Sequence, residues 1–245
     1  MNLLNKLLAD NRGRGLFAVE TSGEEATIYL YDFIVSDSLY GGVSAIDFVK
    51  QLMAINAKTI HLRINSPGGE VFAGQAIAQA IREHSANIIA HVDGYAASAA
   101  SWIALACNEV VIAEGGMFMI HKAMTVAFGN ADDMRQTVAL LDKVDSVLIA
   151  SYAKETGNDE STIHDWMAAE TWFTAQESID HGFADRIAES PPKNTTQWNL
   201  SAWEKAPKSL PAIDPQLLKQ PEAVNDTAFT DHLRRYIDLV ERKTA

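Results

Sequence analysis

Three short stretches of this chain hold the residue types that acyl transfer needs: Ser98 in Gly94-Tyr95-Ala96-Ala97-Ser98, the glycines of Ser66-Pro67-Gly68-Gly69, and His121 in Met119-Ile120-His121. A serine hydroxyl is a weak nucleophile at neutral pH. It needs a base within hydrogen-bond reach and donors aimed at the oxyanion formed after attack. Ser98 follows the apolar run 88–92 and lies among Ala96, Ala97, Ala99 and Ala100, whose small side chains leave room for close backbone approach. Because Ser98 is expected to open a helix, the amide of Ala99 would lie at the positive end of the helix dipole and donate to the oxyanion. Gly69 is the expected second donor and Gly68 its alternate, since glycine reaches backbone angles that turn an amide inward with no side chain in the way. His121 ends the apolar run 117–120 and is the candidate general base. Of the other six histidines only His91 competes; it is close to Ser98 in sequence but inside a strand pattern.

The elements that must position these residues alternate along the chain. Apolar and β-branched runs predict strands over 26–31, 59–64, 87–92 and 109–113, separated by helical periodicity over 44–54, 71–84 and 97–106. Strands joined by helices of ten or more residues imply right-handed crossovers and a largely parallel α/β sheet. Sites in such sheets form at the carboxyl ends of strands, where both the Ser66–Gly69 turn and the Ser98 turn fall. The longest helical pattern covers 132–156, with Met134, Val138, Leu141, Val144, Leu148 and Tyr152 on one stripe, a cap region at 130–132 and Gly157 as a stop. Such a stripe packs either on its own sheet or on a second subunit.

Composition bounds the rest. A 245-residue chain with 47% hydrophobic residues suffices for one domain of about 190 residues and an appendage. The net charge of −12 and the lack of clustered Lys and Arg exclude nucleic acid as a main partner. In residues 1–10, Asn2, Asn5, Lys6 and Asp10 interrupt Leu3, Leu4, Leu7 and Leu8, so no signal peptide or membrane span is expected. The single Cys107 excludes an internal disulfide framework and suits a reducing cytoplasm. No His, Cys or carboxylate cluster has metal-ligand spacing, and no cofactor is implied. Six of the seven prolines fall within 191–221. The expected organisation is therefore an N-terminal segment over 1–25, a catalytic domain over 26–189, a Pro-rich linker over 190–226 and a helical tail over 227–245, where Phe229, Leu233, Tyr236, Ile237 and Val240 recur at helical spacing.

The order Ile64-Asn65-Ser66-Pro67-Gly68-Gly69, Gly94-Tyr95-Ala96-Ala97-Ser98, Met119-Ile120-His121, and Ala175-Gln176-Glu177 followed by Gly182-Phe183-Ala184-Asp185 resembles the ClpP family of serine peptidases over about 26–188. The resemblance implies the ClpP/crotonase α/β fold of repeated ββα units. It further implies a Ser-His-acid triad acting on protein or peptide substrates, and homo-oligomeric rings of six or seven subunits, single or double, joined by a protruding handle helix that 132–156 matches. On that basis Ser98 is the nucleophile, His121 the base, and Gly69 and Ala99 the oxyanion donors. The family's acid position, usually Asp, falls on Glu170 in Ala169-Glu170-Thr171-Trp172, with Asp165 as the second candidate.

Lys122-Ala123 follows the histidine where housekeeping members continue Gln-Pro, and the chain runs about 55 residues past the peptidase domain. Its N-terminal segment does not resemble the axial loops that engage an ATP-driven unfoldase. The Ala-Glu-Thr-Trp signature and the added tail are similar to the ClpP-related head maturation proteases of phages and prophages. Scaffold, capsid or portal proteins would then be the partners, in the bacterial host cytoplasm. Three alternatives remain at this level: a Ser-Lys peptidase resembling signal-peptide peptidase A, with Lys122 as base; a catalytically silent ring or scaffold protein; and a crotonase-type acyl-CoA enzyme.

Overall fold

The computed structural model describes residues 11, 13–38, 41–189, 198–200 and 203–207. The terminal helix expected over 227–245, and most of the linker before it, lie outside the described residues. The chain builds one mixed sheet of eight strands, with a two-stranded satellite beside it.

The strand pattern and the hydrophobic alternation agree closely. Strands β1 (Leu16–Ser22), β2 (Glu25–Tyr31), β5 (Thr59–Ser66), β6 (Asn87–Ala97), β7 (Glu109–Ile112) and β10 (Arg186–Ile187) lie side by side in the order β1-β2-β5-β6-β7-β10. All neighbours in that path are parallel except the β1–β2 hairpin. Because side chains alternate across a strand, Ile60, Leu62 and Ile64 of β5 and Ile88, Ala90 and Val92 of β6 point into one core, all at 1% exposure or less. That core is covered by α1 (Ala45–Met53) through Phe48 and Leu52, by α2 (Val71–Glu83) through Ile77 and Ile81, and by α3 (Ala99–Ala104) through Trp102 and Ile103. On the alternate positions of β2, β5 and β6 stand polar groups. Asp93 accepts from Tyr31 Oη at 2.6 Å and from Arg63 Nε at 2.8 Å, and His61 Nδ1 lies 2.9 Å from His91 Nε2.

Two additions matter for the site. β6 extends to Ala97, five residues beyond the expected strand end, because its second half pairs with β8 (Met117–Ile120) through Tyr95↔Met117 and Ala97↔Met119. β8 then pairs antiparallel with β9 (Thr171–Thr174). Between β8 and β9 run the long α4 (Ala131–Thr156) and α5 (Glu160–Ala168), and α6 (Ala175–Asp180) follows β9. The satellite strands β3 (Ile34–Val35) and β4 (Val43–Ser44) tie to the glycine loop through an Ile34–Gly69 bridge.

Helix α4 begins at an Asn130/Asp133 capping box and stops at Gly157, whose φ of 75° is left-handed. Of its expected apolar stripe only Leu148 and Tyr152 are buried on the domain; Val138, Leu140 and Val147 are more than half exposed. At about 1.5 Å per residue the 26-residue helix is about 39 Å long.

Beyond Glu189, residues 198–200 and 203–207 return to the sheet: Trp198 and Leu200 are buried in a second apolar cluster with Phe33, Val35, Tyr95 and Met119.

Candidate active site

Ser98 stands where β6 ends and α3 begins, with φ 53° and ψ −126°. For a residue with a Cβ this conformation costs on the order of 1–3 kcal/mol, and it persists only where the surroundings over-determine it. They do so here. The Ser98 amide donates to Met119 O at 2.9 Å, and its carbonyl accepts from Ser101 N at 3.0 Å and Ser101 Oγ at 2.6 Å. Ser101 Oγ also lies 2.8 Å from Tyr152 Oη, linking the turn to α4. The result is a sharp strand-to-helix elbow that lifts Oγ off the end of the sheet.

The β6–β8 pairing brings His121, the residue after β8, to Ser98: Nε2 lies 2.7 Å from Ser98 Oγ. The Lys122 backbone also bears on the ring and favours its protonated form. Burial lowers the pKa of His121 from 6.5 to about 4, against the opposing pull of the Glu170 charge and the Lys122 backbone. The imidazole is thus neutral and able to accept a proton throughout the neutral range.

The glycine loop packs directly beneath the elbow. A Cβ on Gly68, at φ 88°, would stand 2.6 Å from Ser98 Cβ; one on Gly69, at φ 154°, would stand 1.9 Å from Ile34 O. The two amides differ in what they do. Gly68 N donates to Ser66 Oγ at 3.1 Å, whereas the amides of Gly69 and Ala99 have no protein acceptor among the described residues. Gly69 and Ala99 therefore hold two unpaired donors beside Ser98.

Glu170 occupies the turn between α5 and β9 with φ 48°. Its Oε1 accepts from Trp172 Nε1 at 3.2 Å and from Lys205 N at 2.7 Å, and its Oε2 accepts from Glu204 N at 3.0 Å. No hydrogen bond joins it to His121 among the described residues; it acts on the ring through space. Asp165 is exposed and turned to His164 Nδ1 at 3.1 Å. Lys122 Nζ lies 3.3 Å from His164 Nε2, so it is directed away from Ser98. His91 is engaged with His61, one strand pair away. Trp203, whose ring centroid lies 4.5 Å from that of His121, has no sequence signal beyond being an aromatic residue within a Pro-rich stretch.

Ser98, His121 and Gly69 open into a cleft of about 540 Å³ whose walls are mostly apolar, among them Phe72, Trp102, Met124, Leu141 and Val144, with Glu70 as its one carboxylate. Among the described residues there is no cluster of metal-binding side chains, and no helix is long and apolar enough to cross a membrane.

An elbow serine bonded to a neutral histidine, beside two unpaired amides at the carboxyl end of a parallel sheet, defines a serine-hydrolase type of site. The family model for Clp protease matches residues 16–191. The ATP-dependent Clp protease proteolytic subunit of Streptococcus agalactiae is 30% identical over 185 residues, covering 70% of this chain and 94% of that protein. Proteolytic subunit 2 from Treponema denticola is 31% identical over 150 residues, covering 58% and 74%. A solved ClpP1 mutant from Listeria monocytogenes shares the fold, with a TM-score of 0.59 at 24% identity over 67% of this chain and 91% of that one. The chain belongs to the Clp protease family and is a serine endopeptidase. The family acts on protein substrates and forms homo-oligomeric rings.

Proposed function

We propose that Ser98, His121 and Glu170 are the catalytic residues of a phage or prophage head maturation protease that trims scaffold or capsid proteins. The observation that carries the catalytic part is the 2.7 Å contact between Ser98 Oγ and the buried His121 Nε2 beside the open amides of Gly69 and Ala99. Ser98 Oγ attacks the peptide carbonyl as its proton passes to His121 Nε2, and the two amides receive the oxyanion. His121 then gives the proton to the leaving amine. Water, deprotonated by the same nitrogen, hydrolyses the acyl-enzyme and returns Ser98. The apolar cleft favours apolar side chains next to the scissile bond.

Support for the maturation role comes from Ala169-Glu170-Thr171-Trp172 and from the chain's extension past the matched residues. Exposed Met124, Val126 and Phe128, with Val138, Leu140 and Val147 of α4, support ring-to-ring assembly through the handle. The working compartment is then the bacterial host cytoplasm.

Intact-mass analysis after fluorophosphonate treatment tests the chemistry: one adduct on the wild type and none on Ser98→Ala. No adduct on a folded wild type would move the reading to a silent ring protein. Incubation with phage capsid and scaffold chains tests the role. Discrete cleavage by the wild type and not by Ser98→Ala is expected; intact capsid and scaffold chains after incubation with a probe-reactive enzyme would refute the maturation assignment.

A further inference from the structure

The residues that touch His121 and Glu170 from outside the matched family region belong to a single stretch. The family model ends at residue 191, yet residues 198–200 and 203–207 are anchored to the site's own supports. Trp198 Nε1 donates to Asn65 O at 3.0 Å, and Asn65 Oδ1 accepts from Tyr95 N at 3.3 Å, joining the strand ends that carry the glycine loop and Ser98. Asn199 N donates to Asn11 Oδ1 at 2.6 Å and Asn11 Nδ2 donates back to Asn199 O at 3.2 Å. From this anchored base Trp203 lies over the His121 ring, at 4.5 Å between centroids and 57° between planes. The next two amides take Glu170, and Lys205 Nζ donates to Ala169 O beside it.

We infer that Trp203, with the amides of Glu204 and Lys205, is a positioning device for the catalytic base: the indole holds and dries the His121 ring, and the amides fix the Glu170 carboxylate at a set distance from it. This rests on the assignment of Ser98 and His121 proposed above.

The division of labour follows from the bonds. A carboxylate bonded to the base both orients it and stabilises the imidazolium. Here orientation falls to the Trp203 ring, because the hydrogen bonds of the Glu170 carboxylate run to Trp172 Nε1 and two main-chain amides rather than to His121. Hydrogen bonds of that kind to a carboxylate hold the left-handed turn of Glu170 in place. Stabilisation of the imidazolium remains with Glu170, acting through space. Among the described residues Glu170 is the charged side chain that acts on His121. Lys122 faces His164, and Asp145 of α4 accepts from the Ala123 amide. Trp203 also lines the cleft, so a purely substrate-binding role is the competing explanation, as is an inhibitory one.

The test uses the full-length chain and a fluorogenic peptide with an apolar residue before the scissile bond. Steady-state rates are measured from pH 3.5 to 8 for wild type, Trp203→Ala, Trp203→Phe and Ser98→Ala. Trp203→Ala is expected to lower kcat by roughly tenfold or more, the scale of a misplaced catalytic group. Hydration of the ring should also move the acid limb of kcat/KM up from about 4 towards 6.5. Trp203→Phe should keep both near wild type. Trp203→Gln, which keeps reach but not dryness, gives the same readout should the alanine variant fail to fold. A loss confined to KM makes Trp203 a subsite wall and overturns the inference. Unchanged activity with an unmoved acid limb also overturns it, as does a gain in activity, which would mark an inhibitory clamp. Activity surviving in Ser98→Ala would instead overturn the site assignment itself.

Discussion

Ser98 and His121 stand at the ends of two paired strands whose last residues, Ala97 and Ile120, are fully buried, whereas Glu170 stands on a half-buried turn whose carboxylate is held by amides from residues 204 and 205. In the first region the geometry is set by close packing. The strand register puts His121 opposite the elbow, and the missing Cβ of Gly68 lets the loop sit against Ser98. In the second region the geometry is set by a few hydrogen bonds to a carboxylate, reached from far along the chain. Packed strand ends move little, because any shift disrupts many contacts at once. A carboxylate held by three donors can be retuned by changing one of them. The serine–histidine pair is therefore the rigid part of the site and the acid its adjustable part.

The contrast can be broken most directly at the rigid half. Ser98→Ala and His121→Ala should each lower kcat by about 10⁴-fold or more, with fluorophosphonate labelling abolished, since the members of such a pair act as one unit. Either variant retaining wild-type rates in a peptide assay would remove the pair from the chemistry. The pH profile sharpens the same point. His121 must be neutral to accept a proton, and burial lowers its pKa to about 4. The rate should therefore hold as pH falls from 7 to 5 and drop about tenfold per unit only well below 4. An acid limb near 6.5 would mean that the ring is hydrated.

Folding stability responds over a different window. The folded-state pKa values of His121 and His91 are both lowered from 6.5 to about 4, so the unfolded chain binds more protons between those values. Thermal midpoints should fall as pH drops from 6.5 towards 4.

Gly69→Ala comes next in size. Its Cβ would press on Ile34 O and its φ of 154° is unfavourable for alanine, so the Gly69 amide should be displaced and kcat lowered by roughly a hundredfold, the scale of losing one oxyanion donor. Unimpaired turnover would assign the second donor elsewhere. At the adjustable half, Glu170→Gln should cost only about tenfold, well below the roughly 10⁴-fold of a directly bonded acid, because no hydrogen bond to His121 is lost. A loss near 10⁴-fold would show that the carboxylate swings onto His121 during turnover. The smallest effects are expected at Lys122→Ala and Asp165→Asn, within about twofold of wild type, since both side chains engage His164 rather than Ser98 or His121. Abolished activity in Lys122→Ala with His121→Ala intact would restore the Ser-Lys reading.

The legibility of these parts in the sequence follows the same division. The expected strands and helices between 26 and 156 recur within a few residues of their predicted ends, because each carries its own hydrophobic period and stop signals. The largest displacement is the end of β6, at Ala97 rather than 92. Tyr95, Ala96 and Ala97 become strand only because β8 pairs with them, and Gly94 and the alanines have no strand propensity of their own to announce it. The hairpin strand β1, the short β9 and α5 depend likewise on neighbours that periodicity within a short window does not contain.

By itself the sequence determined the parallel α/β sheet, the long capped helix, and the order of glycine loop, serine elbow and histidine. Each of these is written in local periodicity, in residue size, or in the need for glycine at a positive φ. Only the tertiary structure decided that His121 rather than His91 meets Ser98, that Gly69 rather than Gly68 keeps its amide open, and that residues 203–205 reach His121 and Glu170. Apart from the Gly68–Ser66 bond inside the glycine loop, those outcomes turn on strand register and on contacts between residues more than 20 positions apart. Hydrogen bonds of that range depend on where the folded backbone brings donor and acceptor, and spacing along the chain carries no record of it.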